Sequence, residues 1–199
     1  MGDRYNSFSD LKQHYLEESD YRIRLKDRGG RLLILAPHGG GIERGTSELV
    51  RKIAGNDLSY YTFEGLLHSN NKDLHITSTN FDEPQAIELV NKVDVVVVVH
   101  GCCGREPVIY IGGNNRSLKE RLFQALDSRN CPVSLPMKGK YTGQEYMNVC
   151  NRSLSGRGVQ LEFSTAIRRQ MFQRLSRNGT LITKPFFDEL VVSIQEALY

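Results

Sequence analysis

The stretch that decides the fold is "LILAPHGGGIERGTSEL", which runs from Leu33 to Leu49. It begins as a run of aliphatic residues typical of a buried strand and ends with the spacing of an amphipathic helix. Between them lie His38, three consecutive glycines and Glu43. Glycine permits sharp backbone turns that other residues resist, so the loop allows His38 and Glu43 to converge and leaves room for a ligand. The stretch therefore predicts a strand–loop–helix unit with reactive side chains in its loop.

Strand-like and helix-like segments alternate along the rest of the chain. Continuous apolar runs at 31–36 and 93–99 indicate strands buried on both faces. Weaker strand patterns occupy 58–65, 73–77, 107–112 and 158–163, and helical patterns occupy 46–55, 81–92, 117–126 and 184–199. This alternation predicts an α/β fold, with one domain over residues 1–199 and an open, mixed, largely parallel sheet flanked by helices.

Two regions are less regular. Residues 1–20 are polar and predict an N-terminal helix or extension, and residues 129–156 predict loops with one helix around 143–151. Helix starts are indicated by Asp82 and Pro84 in one segment, and by the capping-box spacing of Ser117 and Glu120 in another.

The composition excludes several functional classes. A net charge of +3, spread among acids and without a basic stripe, argues against nucleic-acid binding. No apolar run reaches the roughly 18 residues needed to cross a membrane. The polar start is unlike a secretion signal, so we expect cytoplasmic synthesis, with release by cell lysis as the route out.

Four polar side chains lie at or near the predicted strand ends. His38 follows 31–36, His100 follows 93–99, Glu162 ends 158–162, and Glu43 is expected at the start of the next helix. Ligands of open α/β sheets bind outside the carboxyl ends of the strands, so these side chains are expected to meet. Two histidines and a carboxylate form a known catalytic zinc set, and zinc makes water acidic enough to react at neutral pH. The remaining carboxylate, assigned to Glu162, would transfer protons.

Other interpretations of the same residues stay open. A histidine after a strand is often only a hydrogen-bonded structural residue, and the glycine loop before a helix could hold phosphate in a non-enzymatic anion-binding protein. Glu43 argues against that binder, because a carboxylate there would repel the anion. "HGGG" is also found in esterases, but no G-x-S-x-G nucleophile motif accompanies it. "HYLE", from His14 to Glu17, has the H-x-x-E spacing of some zinc hydrolases. It lies in a polar segment without a preceding strand, which favours a solvent-exposed helix face over a metal site.

Six segments in a fixed order carry a family resemblance: "APHGGGIERGTSEL", "YTFEG", "LHITSTNFDEP", "VVVHGCCG", "VIYIGG" and "VQLEFS". From about residue 20 onward the chain resembles the phage-type poly-γ-glutamate hydrolases, zinc enzymes of bacteriophages and bacilli. That family is similar to carboxypeptidase A and to N-formylglutamate amidohydrolases. The resemblance implies a carboxypeptidase-like fold, one Zn²⁺ ion per chain held by His38, Glu43 and His100, and Glu162 as the catalytic carboxylate.

The resemblance also implies a substrate, an anionic polymer of glutamate joined through side-chain amide bonds. Each repeat has a free α-carboxylate, which arginine recognises best. Arg105 and Arg168 are the predicted carboxylate-binding residues, and His75 and Asn80 are predicted to line the cleft. The rival enzyme is a zinc amidohydrolase or carboxypeptidase that uses the same metal residues on a small N-acyl-glutamate or a γ-linked cell-wall peptide.

Overall fold

A mixed sheet organises the computed structural model, which describes residues 2–175 and 181–199. Within those residues the sheet has seven strands in the order β1-β3-β2-β4-β7-β5-β6. Four neighbouring pairs are parallel, and β1 with β3 and β5 with β7 are antiparallel. The strands are β1 (Tyr21–Lys26), β2 (Leu32–Gly40), β3 (Ser59–Gly65), β4 (Val95–Cys102), β5 (Ile109–Gly113), β6 (Val133–Ser134) and β7 (Val159–Ser164). The predicted mixed, largely parallel α/β sheet is confirmed.

Helices cover both faces of this sheet. They are α1 (Phe8–Leu11), α2 (Thr46–Ala54), α3 (Pro84–Val90), α4 (Arg116–Asp127), α5 (Thr165–Met171) and α6 (Pro185–Leu198). Pro84 begins α3 as the sequence indicated, but two predicted capping residues are wrong. The side chain of Glu83, rather than Asp82, caps α3, and Asn115 caps α4 two residues before Ser117. None of the helices in the described ranges is long and apolar enough to span a bilayer.

The core has two apolar layers, one on each side of the sheet. Val97 and Val99 of β4 pack in the layer with α2, α4, α5 and α6, whereas Val96 and Val98 pack in the layer with α1 and α3. All four valines are fully buried. Successive strand residues point to opposite faces, so a continuous apolar run is required where both faces are covered. The interpretation of 93–99 as a central strand is confirmed.

Two local predictions are wrong. The weak strand predicted at 73–77 is a 3₁₀ turn (Asn71–Leu74) followed by irregular chain, and the helix expected around 143–151 is only a 3₁₀ turn (Val149–Asn151). The backbone near 76 pairs with side chains, because the carbonyl of Ile76 accepts from His38 and the amide of Thr77 donates to Asp3. The N-terminal region, predicted as a helix or an extension, contains one helix of four residues. The sequence pattern also missed β1, an edge strand in which arginine and lysine alternate with apolar residues.

Candidate metal centre

The end of β2, which continues through His38 to Gly40 rather than stopping before His38 as the sequence indicated, depends on glycine for its shape. The register of β2 against β3 shifts between Ala36 and Gly39, next to His38. A Cβ atom at Gly39 would lie 2.1 Å from Ser47 Oγ, and Gly40 has a φ of +60° with the backbone of Gly65 at 2.5 Å from a hypothetical Cβ. Larger residues would collide with β3 and α2. The glycines therefore let this chain pass close to its neighbours while it directs His38 and Glu43 to one place.

Glu43 lies in the turn before α2, not at the helix start that the sequence indicated. Its amide donates to the carbonyl of His38 over 2.9 Å, and the amide of Gly101 donates to its Oε2 over 2.8 Å. The same carboxylate lies 3.5 Å from His38 Nδ1 and 3.6 Å from His100 Nδ1. Two backbone contacts thus hold the carboxylate between the two imidazoles.

The two imidazoles predicted to meet do so. His38 and His100 are 2% and 3% exposed, and their Nδ1 atoms are 3.2 Å apart. The Nε2–H of His38 donates to the carbonyl of Ile76 over 2.7 Å, which leaves the lone pair on Nδ1. The Nε2 of His100 lies 3.1 Å from the hydroxyl of Ser78. Hydrogen bonds to the far nitrogen are the usual means of orienting a metal-binding histidine.

The donor set fits a small tetrahedral ion. Ligand atoms placed about 2.0–2.1 Å from a tetrahedral zinc ion are separated by roughly 3.4 Å. The two Nδ1 atoms are 3.2 Å apart, and Glu43 approaches them with one oxygen each, Oε1 at 3.5 Å from His38 Nδ1 and Oε2 at 3.6 Å from His100 Nδ1. Lone pairs of two buried imidazoles and a partly buried carboxylate that converge at this spacing are best satisfied by a cation. The residues present therefore fit a bound metal ion.

His75 competes for the third ligand position. His38, Glu43 and His75 form a group of potential ligand atoms within 4.8 Å of one another. The Nδ1–H of His75 donates to Asp3 Oδ1 over 2.7 Å, and its Nε2 lies 4.0 Å from Glu43 Oε1. However, the rings of His38 and His75 are stacked, with centroids 3.9 Å apart and 24° between the planes. Lone pairs lie in the ring plane, so two stacked imidazoles point poorly at one ion. This geometry favours His100 as the third ligand and His75 as a wall of the site.

Glu162 lies on β7, directly opposite His100 on β4 and Tyr110 on β5. Opposed residues on neighbouring strands point to the same face of a sheet, so this carboxyl group borders the histidine pair. Burial raises the pKa of Glu162, the nearby Glu43 raises it further, and the histidines act in the opposite direction. A carboxyl group with a raised pKa beside a metal site is suited to exchanging protons.

The charges within the centre support one another. Burial alone would raise the pKa of Glu43, but His38 and His100 hold it well below its usual range. Burial lowers the pKa of His100, yet Glu162 and Glu43 leave it above its ordinary value. Burial and His38 lower the pKa of His75 to about 4. Glu43 is therefore the anionic centre of the cluster, and His75 is neutral at physiological pH.

The predicted substrate-binding residues are placed unequally. Arg105 is exposed in the loop after β4, and Asn80 is exposed in the loop that contains Ser78. Arg168 is buried, and its guanidinium donates to the carbonyls of Phe163, Arg44 and Cys102 and to the hydroxyl of Thr165. Most of its donors are thus used within the protein, which favours a role in holding the loops of the centre together.

Sequence reasoning missed Asp3, Ser78 and the carbonyl of Ile76 as supports of the histidines. Ser78 lies inside the segment "LHITSTNFDEP", which was already linked to the cleft through His75 and Asn80. No sequence pattern indicated Asp3, because its role depends on the chain start folding back across residues 75–77.

Comparisons with known proteins agree on one family. The family model described as poly-gamma-glutamate hydrolase matches residues 5–193. The SPbeta prophage-derived protein YoqZ of Bacillus subtilis (strain 168) is 39% identical over 194 residues, which cover 96% of this chain and 70% of YoqZ. Protein YndL of the same strain is 37% identical over 183 residues, covering 92% of this chain and 72% of YndL.

Solved structures give the same result. A bacteriophage poly-gamma-glutamate hydrolase superposes with a TM-score of 0.93 at 32% identity, covering 99% of this chain and 97% of that one. A zinc-free apo form of YndL superposes with a TM-score of 0.94 at 35% identity, covering 99% and 98%. N-formylglutamate amidohydrolase from Ralstonia eutropha JMP134, at 11% identity, a TM-score of 0.58 and coverage of 90% and 95%, shares the fold alone. With the family model matching nearly its whole length, this chain belongs to the poly-γ-glutamate hydrolase family.

Proposed function

We propose that this chain hydrolyses the γ-glutamyl amide bonds of poly-γ-glutamate, with one Zn²⁺ ion held by His38, Glu43 and His100. The observation that carries the proposal is the convergence of the two Nδ1 atoms and the Glu43 carboxylate at 3.2–3.6 Å. Support for the metal identity comes from the nitrogen-and-carboxylate donor set and from a relative whose structure is described as zinc-free. Support for the substrate comes from the family and from the bacteriophage hydrolase structure.

Zinc bound at this site would supply Lewis-acid activation of water and of the scissile carbonyl. Glu162 then removes a proton from the attacking water and transfers it to the leaving amine nitrogen. The carbon–nitrogen bond breaks, and the products are a side-chain carboxylate and a free α-amine. The raised pKa of Glu162 suits this role, because the protonated form must be accessible after the first transfer.

The supporting residues keep this geometry fixed. The carbonyl of Ile76 holds His38 in the tautomer that presents Nδ1, and the hydroxyl of Ser78 contacts the far nitrogen of His100. Arg105 and Asn80, both exposed next to the centre in sequence, are the proposed contacts for the polymer. Delivery by cell lysis stays a prediction, to which a prophage-derived relative lends support.

The test is cleavage of purified poly-γ-glutamate by the zinc-loaded protein, followed by size-exclusion chromatography and by titration of new amino groups. We expect the polymer to shorten as amines appear, activity to stop with a chelator, and zinc to restore it. A full-length polymer, together with rapid hydrolysis of small N-acyl-glutamates, would replace this proposal with the rival amidohydrolase. A protein that takes up no metal and ignores chelators would contradict both.

A further inference from the structure

A polar cavity borders the glycine loop of the metal centre, which is Gly39 to Gly41. Its volume is about 450 Å³, and Gly40 and Gly41 form part of its wall. Those glycines separate His38 from Glu43 in the chain, so the cavity and the metal centre share one loop. The charged residues that line it, here called the arginine cavity, are Arg22, Arg44, Glu48, Arg51 and Glu64.

The arginine cavity contains more positive than negative charge. Three guanidinium groups line it, against two carboxylates. Glu64 is 3% exposed, and its two oxygens accept separately from Arg51 and from Arg22, the latter over 2.9 Å. Each of these guanidiniums uses one nitrogen on Glu64, although each has five N–H donors. Further donors therefore remain for an anion that enters the cavity.

Arg22 and Glu48, which line this cavity, each have a buried side-chain atom without a hydrogen-bond partner among the described residues. These atoms are Nε of Arg22, which can only donate, and Oε2 of Glu48, which accepts when ionised. Nearly all buried polar atoms in proteins are hydrogen-bonded, and exceptions call for a missing ligand or water. Both atoms have almost no accessible surface, so a ligand in the cavity reaches them only when the two side chains turn towards it. Such a ligand would offer one acceptor for Arg22 and one donor for Glu48.

We propose that the arginine cavity is a binding subsite for the α-carboxylate and the neighbouring N–H of a γ-glutamyl repeat. In a γ-linked chain, each α-carbon bears a carboxylate, which accepts, and an amide nitrogen, which donates. This pair matches Arg22 on one side and Glu48 on the other. The proposal rests on the proposed function, and it places one repeat of the polymer behind the Gly40–Gly41 wall while the metal centre contacts the amide to be cleaved.

The decisive change is Arg22→Lys. Lysine keeps the positive charge that Glu64 requires but removes the Nε donor and the planar fork. Arg24→Lys is the matched control, because Arg24 lies two residues along the same strand, 3.9 Å from Glu64, and does not line the cavity. Binding is measured by titration calorimetry of a short γ-glutamyl oligomer into the chelator-treated protein. The same oligomer with its α-carboxylates converted to amides is the second probe.

We expect Arg22→Lys to weaken binding of the acidic oligomer about tenfold, the loss of roughly one charge-assisted hydrogen bond, and Arg24→Lys to leave it unchanged. The amide oligomer should bind the wild-type protein no more tightly than the acidic oligomer binds Arg22→Lys. The Arg22→Lys change should not weaken binding of the amide oligomer further. The proposed subsite is overturned if the acidic oligomer binds wild type and Arg22→Lys equally well. It is also overturned if wild type binds the acidic and the amide oligomers equally well. If thermal melting shows that Arg22→Lys does not fold, Arg51→Lys serves with the same expectation.

The outcome is separable from that of the proposed function. Protein that binds the acidic oligomer through Arg22 but never cleaves it, with zinc present, would retain the subsite and contradict the hydrolase. Protein that cleaves the polymer with the same KM in wild type and Arg22→Lys would retain the hydrolase and overturn the subsite.

Discussion

Two glutamates, the partly buried Glu43 and the buried Glu64, lie beside the same glycine segment, and their neighbours give them opposite chemistry. Glu43 is surrounded by the imidazoles of His38 and His100, and Glu64 by the guanidiniums of Arg22 and Arg51. Hydrogen bonds and opposite charges lower the pKa of both carboxyl groups, although burial alone would raise it. Both are therefore anionic at neutral pH.

The difference lies in what the neighbours can give up. Imidazole loses its proton near neutral pH and then presents a lone pair, so the Glu43 cluster can exchange protons for a metal cation. Guanidinium does not lose its proton in proteins, so the Glu64 cluster stays a permanent ion-pair network with spare donors. A carboxylate among histidines is thus suited to a cation site, whereas one among arginines is suited to a fixed ion-pair network with donors left for an anion.

The largest effect is expected from substitutions that remove a histidine from the Glu43 cluster. We predict that His38→Ala and His100→Ala each remove the bound zinc at micromolar concentrations and with it all measurable hydrolysis. Each change deletes a lone pair 3.5–3.6 Å from Glu43. Metal content is measured by atomic emission after gel filtration.

His75→Ala serves as the comparison within this cluster. If His75 only forms a wall, its loss should weaken zinc binding about 10- to 100-fold at most, as changes around metal ligands do. Retention of zinc in His100→Ala, together with its loss in His75→Ala, would assign the third ligand position to His75.

The next effect separates proton transfer from metal binding. Glu162→Gln should lower kcat about 10²- to 10⁴-fold, the usual contribution of general acid–base catalysis, because an amide cannot accept and return the proton. Zinc content should not change. Single-turnover hydrolysis and metal analysis are compared with Glu106→Gln, an exposed glutamate before β5. Near-normal kcat in Glu162→Gln would refute its assigned role.

A smaller effect is expected in the Glu64 network. Glu64→Gln should lower the free energy of unfolding by about 1–3 kcal/mol, because Arg22 and Arg51 lose a carboxylate that accepts from both. Urea unfolding of the zinc-free chain measures the change. The control is Glu88→Gln, whose exposed pair with Lys92 should contribute less than about 0.5 kcal/mol. Equal losses in the two variants would mean that the Glu64 network contributes little.

The smallest expected effect is a pH dependence of the difference in unfolding free energy between wild type and Glu64→Gln. The pKa of Glu64 is lowered below its ordinary 4.5, since the hydrogen bond from Arg22, the charge of Arg51 and the Thr62 hydroxyl outweigh burial. Its stabilisation should therefore be complete above pH 4.5 and decline as the pH falls towards the lower pKa of the folded state. Unfolding curves of wild type and Glu64→Gln should converge over this acidic range. A gap that stays constant on acidification would show that Glu64 does not titrate with folding.

Much of the fold could be predicted from local sequence patterns. The valines of β4 require two covered faces, and the amphipathic spacing of α2 and α6 requires an apolar partner, so alternation alone predicted the layered sheet. The edge strand β1 and the turn at 71–74 were missed or misread. In β1, charged residues alternate with apolar ones, so no continuous apolar run indicates the strand. Near residues 71–74, contacts with the histidines of the site, rather than apolar periodicity, decide the backbone conformation.

The sequence by itself determined which side chains stand at the carboxyl ends of buried strands, because apolar period and glycine placement set the strand ends locally. It therefore predicted that His38, His100 and Glu162 would meet. Only the tertiary structure decided how their atoms face one another. The tautomer of His38, the stacking of His75 and the support from Asp3 depend on loops that cross the sheet edge, and these contacts join residues 37 to 74 positions apart. Distances of that kind arise from packing of the whole chain, which no local pattern encodes.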